Sequence, residues 1–187
     1  MALVAAFVLL VAGAANAANT VRQAEIRATP AGYTLDADVE LALNPTLEDA
    51  LAKGINLYFV LEFEIARPRN WWFDEDIAEV SRKMRLYYHL LLRRYVVETG
   101  YTTQTAATLG EALVMLGHVD DWQVLERGDL KTGRRYEARL RLRLDTARLP
   151  KTLSIGAVTS DRWDLVTPWH TWLFQAPPLP AATPPLP

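Results

Sequence analysis

The sequence predicts a mainly β fold: an antiparallel β-sandwich, immunoglobulin-like in outline, with two short helical insertions. Three observations lead there. Apolar and polar residues alternate over Ile55–Ile65, and again over Tyr33–Leu43 and Arg134–Asp145; successive side chains of a strand point to opposite faces, so this is the pattern of half-buried strands. Two short segments, Asn44–Gly54 and Thr108–Gly117, carry helix punctuation. No strand–helix–strand rhythm runs through the chain, so the connections should be antiparallel. An open antiparallel sheet covered by the helices ranks second. A lipocalin-like barrel needs more long strands than the chain offers.

The chain has 187 residues. Leu3–Ala15 is almost wholly apolar and runs into Ala15-Asn16-Ala17, a small-residue cleavage site. The run is shorter than the roughly 20 apolar residues of a membrane span. Residues 1–18 therefore read as a secretory signal peptide, although no Lys or Arg precedes the run. The expected location is periplasmic or secreted, with no stable membrane insertion after cleavage. Residues 19–175 then form one β-rich domain, large enough to bury roughly two thirds of its unfolded surface.

Thr20–Ala28 reads as a half-exposed strand, Thr29-Pro30-Ala31-Gly32 as a turn, and Tyr33–Leu43 as its hairpin partner. Asn44 can cap a helix that has Pro45 in its first turn, Lys53 in its last and Gly54 beyond. In the long strand that follows, Ile55, Leu57, Phe59, Leu61, Phe63 and Ile65 share one face. Tyr58, Val60, Glu62 and Glu64 lie on the other. Asp76–Glu98 is ambiguous, because Ile77, Val80, Met84, Tyr87 and Leu91 fit a helical stripe while Val80, Met84, Leu86, Tyr88 and Leu90 fit a strand face. Its aromatic and β-branched content favours two strands broken near Leu92.

Gly100–Thr105 reads as a loop, and Thr108 with Glu111 as a capping box opening a helix that ends at Gly117. Trp122–Glu126 is a short strand and Gly128–Gly133 a turn-rich connection. Arg134–Asp145 is a strand with Tyr136, Ala138, Leu140, Leu142 and Leu144 inward. Leu149-Pro150-Lys151 breaks it, Leu153 opens another apolar run, and Trp169–Gln175 supplies the last strand. Residues 176–187 are rich in proline, which offers no amide hydrogen to a sheet, so they are expected to be a disordered, polyproline-like tail.

Composition excludes several functions. A formal net charge of −2 gives no general footing for nucleic acid. The absence of cysteine removes thiol catalysis, thiolate metal sites and disulfides. His89, His118 and His170 lie far apart without metal-ligand spacing, and Asp74, Glu75, Asp76 and Glu79 read as a solvated acidic loop. There is no nucleophile elbow and no glycine-rich phosphate loop. No catalytic residue, metal ligand or cofactor is assigned, and the domain is expected to be non-enzymatic.

Two groups of residues invite a binding reading. Arg67, Arg69, Trp71 and Trp72 leave the long strand as a corner where arginines can stack on aromatic rings. The bland alternative is a plug that closes one end of the sandwich. Arg139, Arg141 and Arg143, with Arg135, line one polar strand face as a possible anion-binding surface. Against it stands cross-strand pairing with Glu62, Glu64 or Asp36 and Asp38. Trp163, Trp169 and Trp172 complete the aromatic inventory outside the regular core faces.

Phe63-Glu64-Ile65-Ala66-Arg67-Pro68-Arg69 leads into Trp71-Trp72-Phe73-Asp74 and Arg85-Leu86-Tyr87-Tyr88-His89. Thr108-Leu109-Gly110-Glu111-Ala112-Leu113, Tyr136–Asp145 and Leu149-Pro150-Lys151 follow. In this combination, from about Ala24 to Phe174, the chain resembles the bacterial exported domain of unknown function family 4390. The resemblance brings no catalytic residue or ligand. Genes of that family often stand beside one for a membrane histidine kinase of the nitrogen-regulator type, which implies a link to envelope signalling. The expected partner is an envelope protein, the sensor kinase among the choices; the alternative is a ligand or carbohydrate binder using surface tryptophans.

Overall fold

The computed structural model describes residues 19–68, 75–150 and 161–181. In chain order the elements are β1 (Thr20–Thr29), β2 (Gly32–Glu40), α1 (Pro45–Ala52), β3 (Leu57–Arg67), β4 (Glu75–His89) and β5 (Arg94–Thr99). They continue with β6 (Thr102–Ala106), α2 (Leu109–Gly117), β7 (His118–Glu126), β8 (Arg135–Leu144) and β9 (His170–Gln175). All strand pairs are antiparallel and form two sheets, one ordered β1-β2-β7 and the other β6-β5-β4-β3-β8-β9. The fold is the mainly β, two-sheet, two-helix sandwich that alternation predicts.

β3 is paired along both edges, to β4 and to β8. Its inward residues Leu57, Phe59, Leu61, Phe63 and Ile65 are fully buried beside Leu140 and Leu142 of β8. Tyr33, Leu35 and Leu125 of the smaller sheet belong to the same core, as do Leu47 and Leu51 of α1 and Ala112 and Leu116 of α2. Each large side chain taken out of water here contributes roughly 1.5–3 kcal/mol.

Both helices begin as their punctuation requires. Asn44 Oδ1 accepts from the Leu47 amide at 3.0 Å. Thr108 Oγ1 accepts from the Glu111 amide at 3.2 Å, and the Glu111 carboxylate accepts from the Ala107 amide at 2.9 Å and the Thr108 amide at 3.4 Å. Among the described residues no helix is long and apolar enough to cross a membrane.

The ambiguous segment is two strands, β4 and β5, joined at Leu90–Arg93 with Arg93 in the left-handed region at φ 50°. Gly100–Thr105 is not a loop. Gly100 (φ 58°) and Tyr101 make a two-residue turn, and Thr102–Ala106 pairs with β5. This edge strand is exposed on both faces until Ala106, so it has no apolar alternation to reveal it. β7 starts at His118 rather than Trp122, because register shifts and a positive φ at Asp121 break its alternation.

The proline-rich tail is attached at its start. Ala176 exchanges backbone hydrogen bonds with Gly133 (2.8 Å) and Arg134 (2.9 Å). The Pro177 carbonyl accepts from the Tyr33 hydroxyl at 3.1 Å, and the Pro180 carbonyl accepts from Arg127 Nη2 at 2.8 Å. Leu179 packs against the core. Proline lacks a donor but keeps its acceptor, which corrects the expectation of a free appendage for 176–181. The remainder of the tail, the leader and the apolar run from Leu153 lie outside the described residues.

α2 packs so closely on β2 that a methyl group at Gly117 would overlap the Val39 carbonyl oxygen, whereas one at Gly110 meets nothing. Gly117→Ala should therefore destabilise the domain by about 2–4 kcal/mol in urea unfolding. Gly110→Ala should be neutral or stabilising by up to about 1 kcal/mol. Equal midpoints for the two variants would contradict this packing.

Candidate functional site

The polar face of the larger sheet follows from strand register. Pairing of β3 with β8 sets Glu62 opposite Arg141, Glu64 opposite Arg139 and Val60 opposite Arg143. Arg141 Nε donates to one oxygen of Glu62 at 2.6 Å, Arg143 Nε donates to the other at 2.7 Å, and Arg139 pairs with Glu64. The Glu62 side chain is only 15% exposed. Burial pushes its pKa up, but the two guanidinium groups outweigh that and hold it below the usual carboxylate value. The Arg141 and Arg139 guanidinium carbons lie 4.2 and 5.3 Å from the Trp169 ring centre, within cation–π range.

A second cluster stands on the same face. Arg85 donates to both Glu98 oxygens, from Nε at 2.9 Å and Nη2 at 2.5 Å, and lies 4.7 Å over the Tyr87 ring. Hydrogen bonding from Arg85 is the main reason the Glu98 pKa is lowered. Arg148 covers Tyr58 at 4.4 Å. Solvent-accessible pairs of this kind contribute about 0–1 kcal/mol each, so they order the face more than they hold the fold. Arg139, Arg141 and Arg143 are thus brought together, with the cross-strand partners expected of Glu62 and Glu64.

Arg67 is the last residue of β3, half-buried and in register with Glu75. Arg69, Trp71 and Trp72 lie outside the described residues. A cleft of about 380 Å³ opens at this end, lined by Glu64, Asp76, Ile77, Ala78, Glu79 and Arg139. Arg139 therefore borders both the ladder and the corner. Three carboxylates around one guanidinium suit a cationic or hydrogen-bonding group from outside better than an anion.

Sequence reading missed three features. It placed Trp169–Gln175 as the last strand but not as an edge: among the described residues β9 is the sheet's outer margin, with Leu173 57% exposed. Leu90, Leu91 and Leu92 form an exposed hairpin tip. Arg82 pairs in register with the buried Leu61 and so interrupts the inward series of Val80, Met84 and Leu86; burial lowers its pKa, and no counter-charge is bonded to it among the described residues. That cation in an apolar series was the available signal. It borders a polar cleft of about 190 Å³ with Thr99, Thr102, Gln104, His118 and Asp120. There His118 is bonded to Asp38 through Nδ1 and to Asp120 through Nε2, both at 2.8 Å. The described residues hold no metal-ligating cluster.

A family model described as Domain of unknown function (DUF4390) matches residues 16–173. No curated protein and no solved structure matches the chain.

The Asp38 hydrogen bond, against a smaller desolvation effect, raises the His118 pKa above its ordinary value. A raised folded pKa stabilises fully below the unfolded value, near pH 6.5, and is lost as pH rises through the folded value. Wild-type protein should therefore be less stable at pH 8.5 than at pH 6 in urea unfolding, and His118→Gln should reduce that difference. An unchanged difference in the variant would show that the two aspartates do not hold a charged imidazole.

Proposed function

The chain belongs to the DUF4390 family of domains of unknown function, and for it we propose the role of an exported, non-enzymatic module that docks a protein partner at the cell envelope. The family resemblance suggests a membrane sensor histidine kinase as that partner. One observation carries the reading: among the described residues β9 is an outer strand that bears none of the usual guards. Among the described residues β8 pairs with one of its edges and nothing pairs with the other. Proteins usually protect such edges with lysine, proline, bulges or charges. β1 and β7 have register shifts and charged side chains, and β6 is short and polar. β9, His170-Thr-Trp-Leu-Phe-Gln175, has no proline and no acid or lysine, and displays Leu173 beside half-exposed Trp169.

A strand from a partner would satisfy the open backbone groups of β9 and cover Leu173, the mode of recognition in which backbone hydrogen bonds give affinity and alternate side chains give specificity. The positive excess beside it, three guanidinium groups sharing two carboxylates, would favour an acidic flank on that partner. The signal-peptide pattern of residues 1–18 supports an exported location. Carbohydrate binding on the tryptophans has less support, because Arg139 and Arg141 already lie against Trp169.

Thr171→Lys with Leu173→Lys installs the missing guard. Cross-linking in the native envelope followed by purification should recover a discrete partner with wild type and at least tenfold less with the double variant, at an unchanged melting temperature. Equal recovery with both proteins would remove β9 as the docking edge.

A further inference from the structure

We propose that the β4–β5 hairpin tip, Leu90-Leu91-Leu92-Arg93-Arg94, inserts into the interface of an anionic lipid bilayer. The three leucines are 63%, 92% and 61% exposed, whereas the other large aliphatic side chains among the described residues are mostly buried. They are contiguous and stand at the apex of a turn, held there by the left-handed Arg93 and by the Leu92 amide donating to His89 Nδ1 at 3.3 Å. Exposed apolar surface of this kind marks a contact site, and its shape selects the occupant. A protein would have to offer a pocket to a convex apex of three adjacent leucines. A bilayer interface accepts such an apex directly, each leucine that leaves water adding roughly tenfold or more to the affinity.

The surroundings of the tip also match a lipid surface. Arg93 and Arg94 follow the leucines, both exposed and neither ion-paired among the described residues. Two cations beside an anionic surface together contribute roughly thirtyfold. Behind the tip, half-buried Tyr88 and Tyr95 pair across the strands with ring centres 4.9 Å apart. Amphipathic aromatic rings are characteristic of the headgroup level. A methyl group on Gly54, which follows α1, would lie 3.9 Å from Leu90 Cδ1, so the tip stands beside the end of that helix. The inference is independent of β9, which lies on the other side of β3 in the sheet order.

The cysteine-free sequence allows one label at a time. Leu91→Cys carries an environment-sensitive fluorophore at the tip. Tyr101→Cys carries it at the other end of β5, where Tyr101 is fully exposed, roughly 20 Å away. The full chain is mixed with phosphatidylglycerol-containing vesicles, with phosphatidylcholine vesicles, and with detergent-extracted envelope protein. The expected result is a blue shift at position 91 alone, with phosphatidylglycerol vesicles, weakened by 0.5 M salt on the order expected from screening. Arg93→Gln with Arg94→Gln, on the labelled Leu91→Cys chain and with an unchanged circular dichroism spectrum, should weaken the apparent vesicle affinity at least tenfold. An aqueous signal at position 91 with anionic vesicles, or equal shifts at 91 and 101, overturns the proposal. A shift that requires the protein extract and not lipid overturns it in favour of a protein contact. An affinity unaffected by the arginine changes overturns the assignment of an anionic surface.

Discussion

The double pairing of β3 is the constraint from which the larger sheet is built. A strand bonded along both edges cannot slip by one residue without exposing Leu57, Phe59, Leu61, Phe63 and Ile65 and burying Glu62 and Glu64. The register that buries the apolar set also places those carboxylates beside the β8 arginines. Ionic pairing across the sheet is therefore a consequence of core formation. Its net worth is modest, but its geometry orders Arg139 and Arg141 against Trp169 at the margin next to β9.

This arrangement divides the molecule into a satisfied centre and less satisfied periphery. At the centre, β3 is paired along both edges, and Glu62 and Glu64 have guanidinium partners. Around it stand the edge of β9 that is unpaired among the described residues, the leucine apex between β4 and β5, and the acidic cleft at the end of β3. Arg82, turned inward without a counter-charge bonded to it among the described residues, is a cost carried beside the polar cleft under β5 and β6. The proposed docking edge and lipid-facing apex use different strands, so the domain could engage a membrane and a protein at once.

Legibility from sequence followed burial. β2, β3 and β8 alternate because one face is in the core, and the capped starts of both helices were visible because each cap uses particular residue types. β6 was not visible: a doubly exposed edge strand of threonine and glutamine has no periodic apolar signal. β7 was shortened for a related reason, since its bulge at Asp121 shifts the pattern midway. Pairing of Arg139, Arg141 and Arg143 with Glu62 and Glu64 followed from two alternating strands, because register turns two sequence patterns into one face. The peripheral features were harder to see. Leu90–Leu92 resembles any apolar run until a turn places it at an apex, and β9 becomes an edge only when the order of the sheet is known. The start of the tail is held through carbonyl groups, which proline retains, and a proline-rich composition gives no sign of that anchorage.

The central claim is that β9 keeps an open edge until a partner fills it, and amide hydrogen exchange reads that edge directly. In the isolated protein, the β9 amides pointing away from β8 should exchange far faster than those of β3, which are bonded on both sides. Addition of the purified envelope partner should slow them while leaving β3 unchanged. Slow exchange of those β9 amides in the isolated protein, or no slowing when partner is bound, would contradict docking by strand addition.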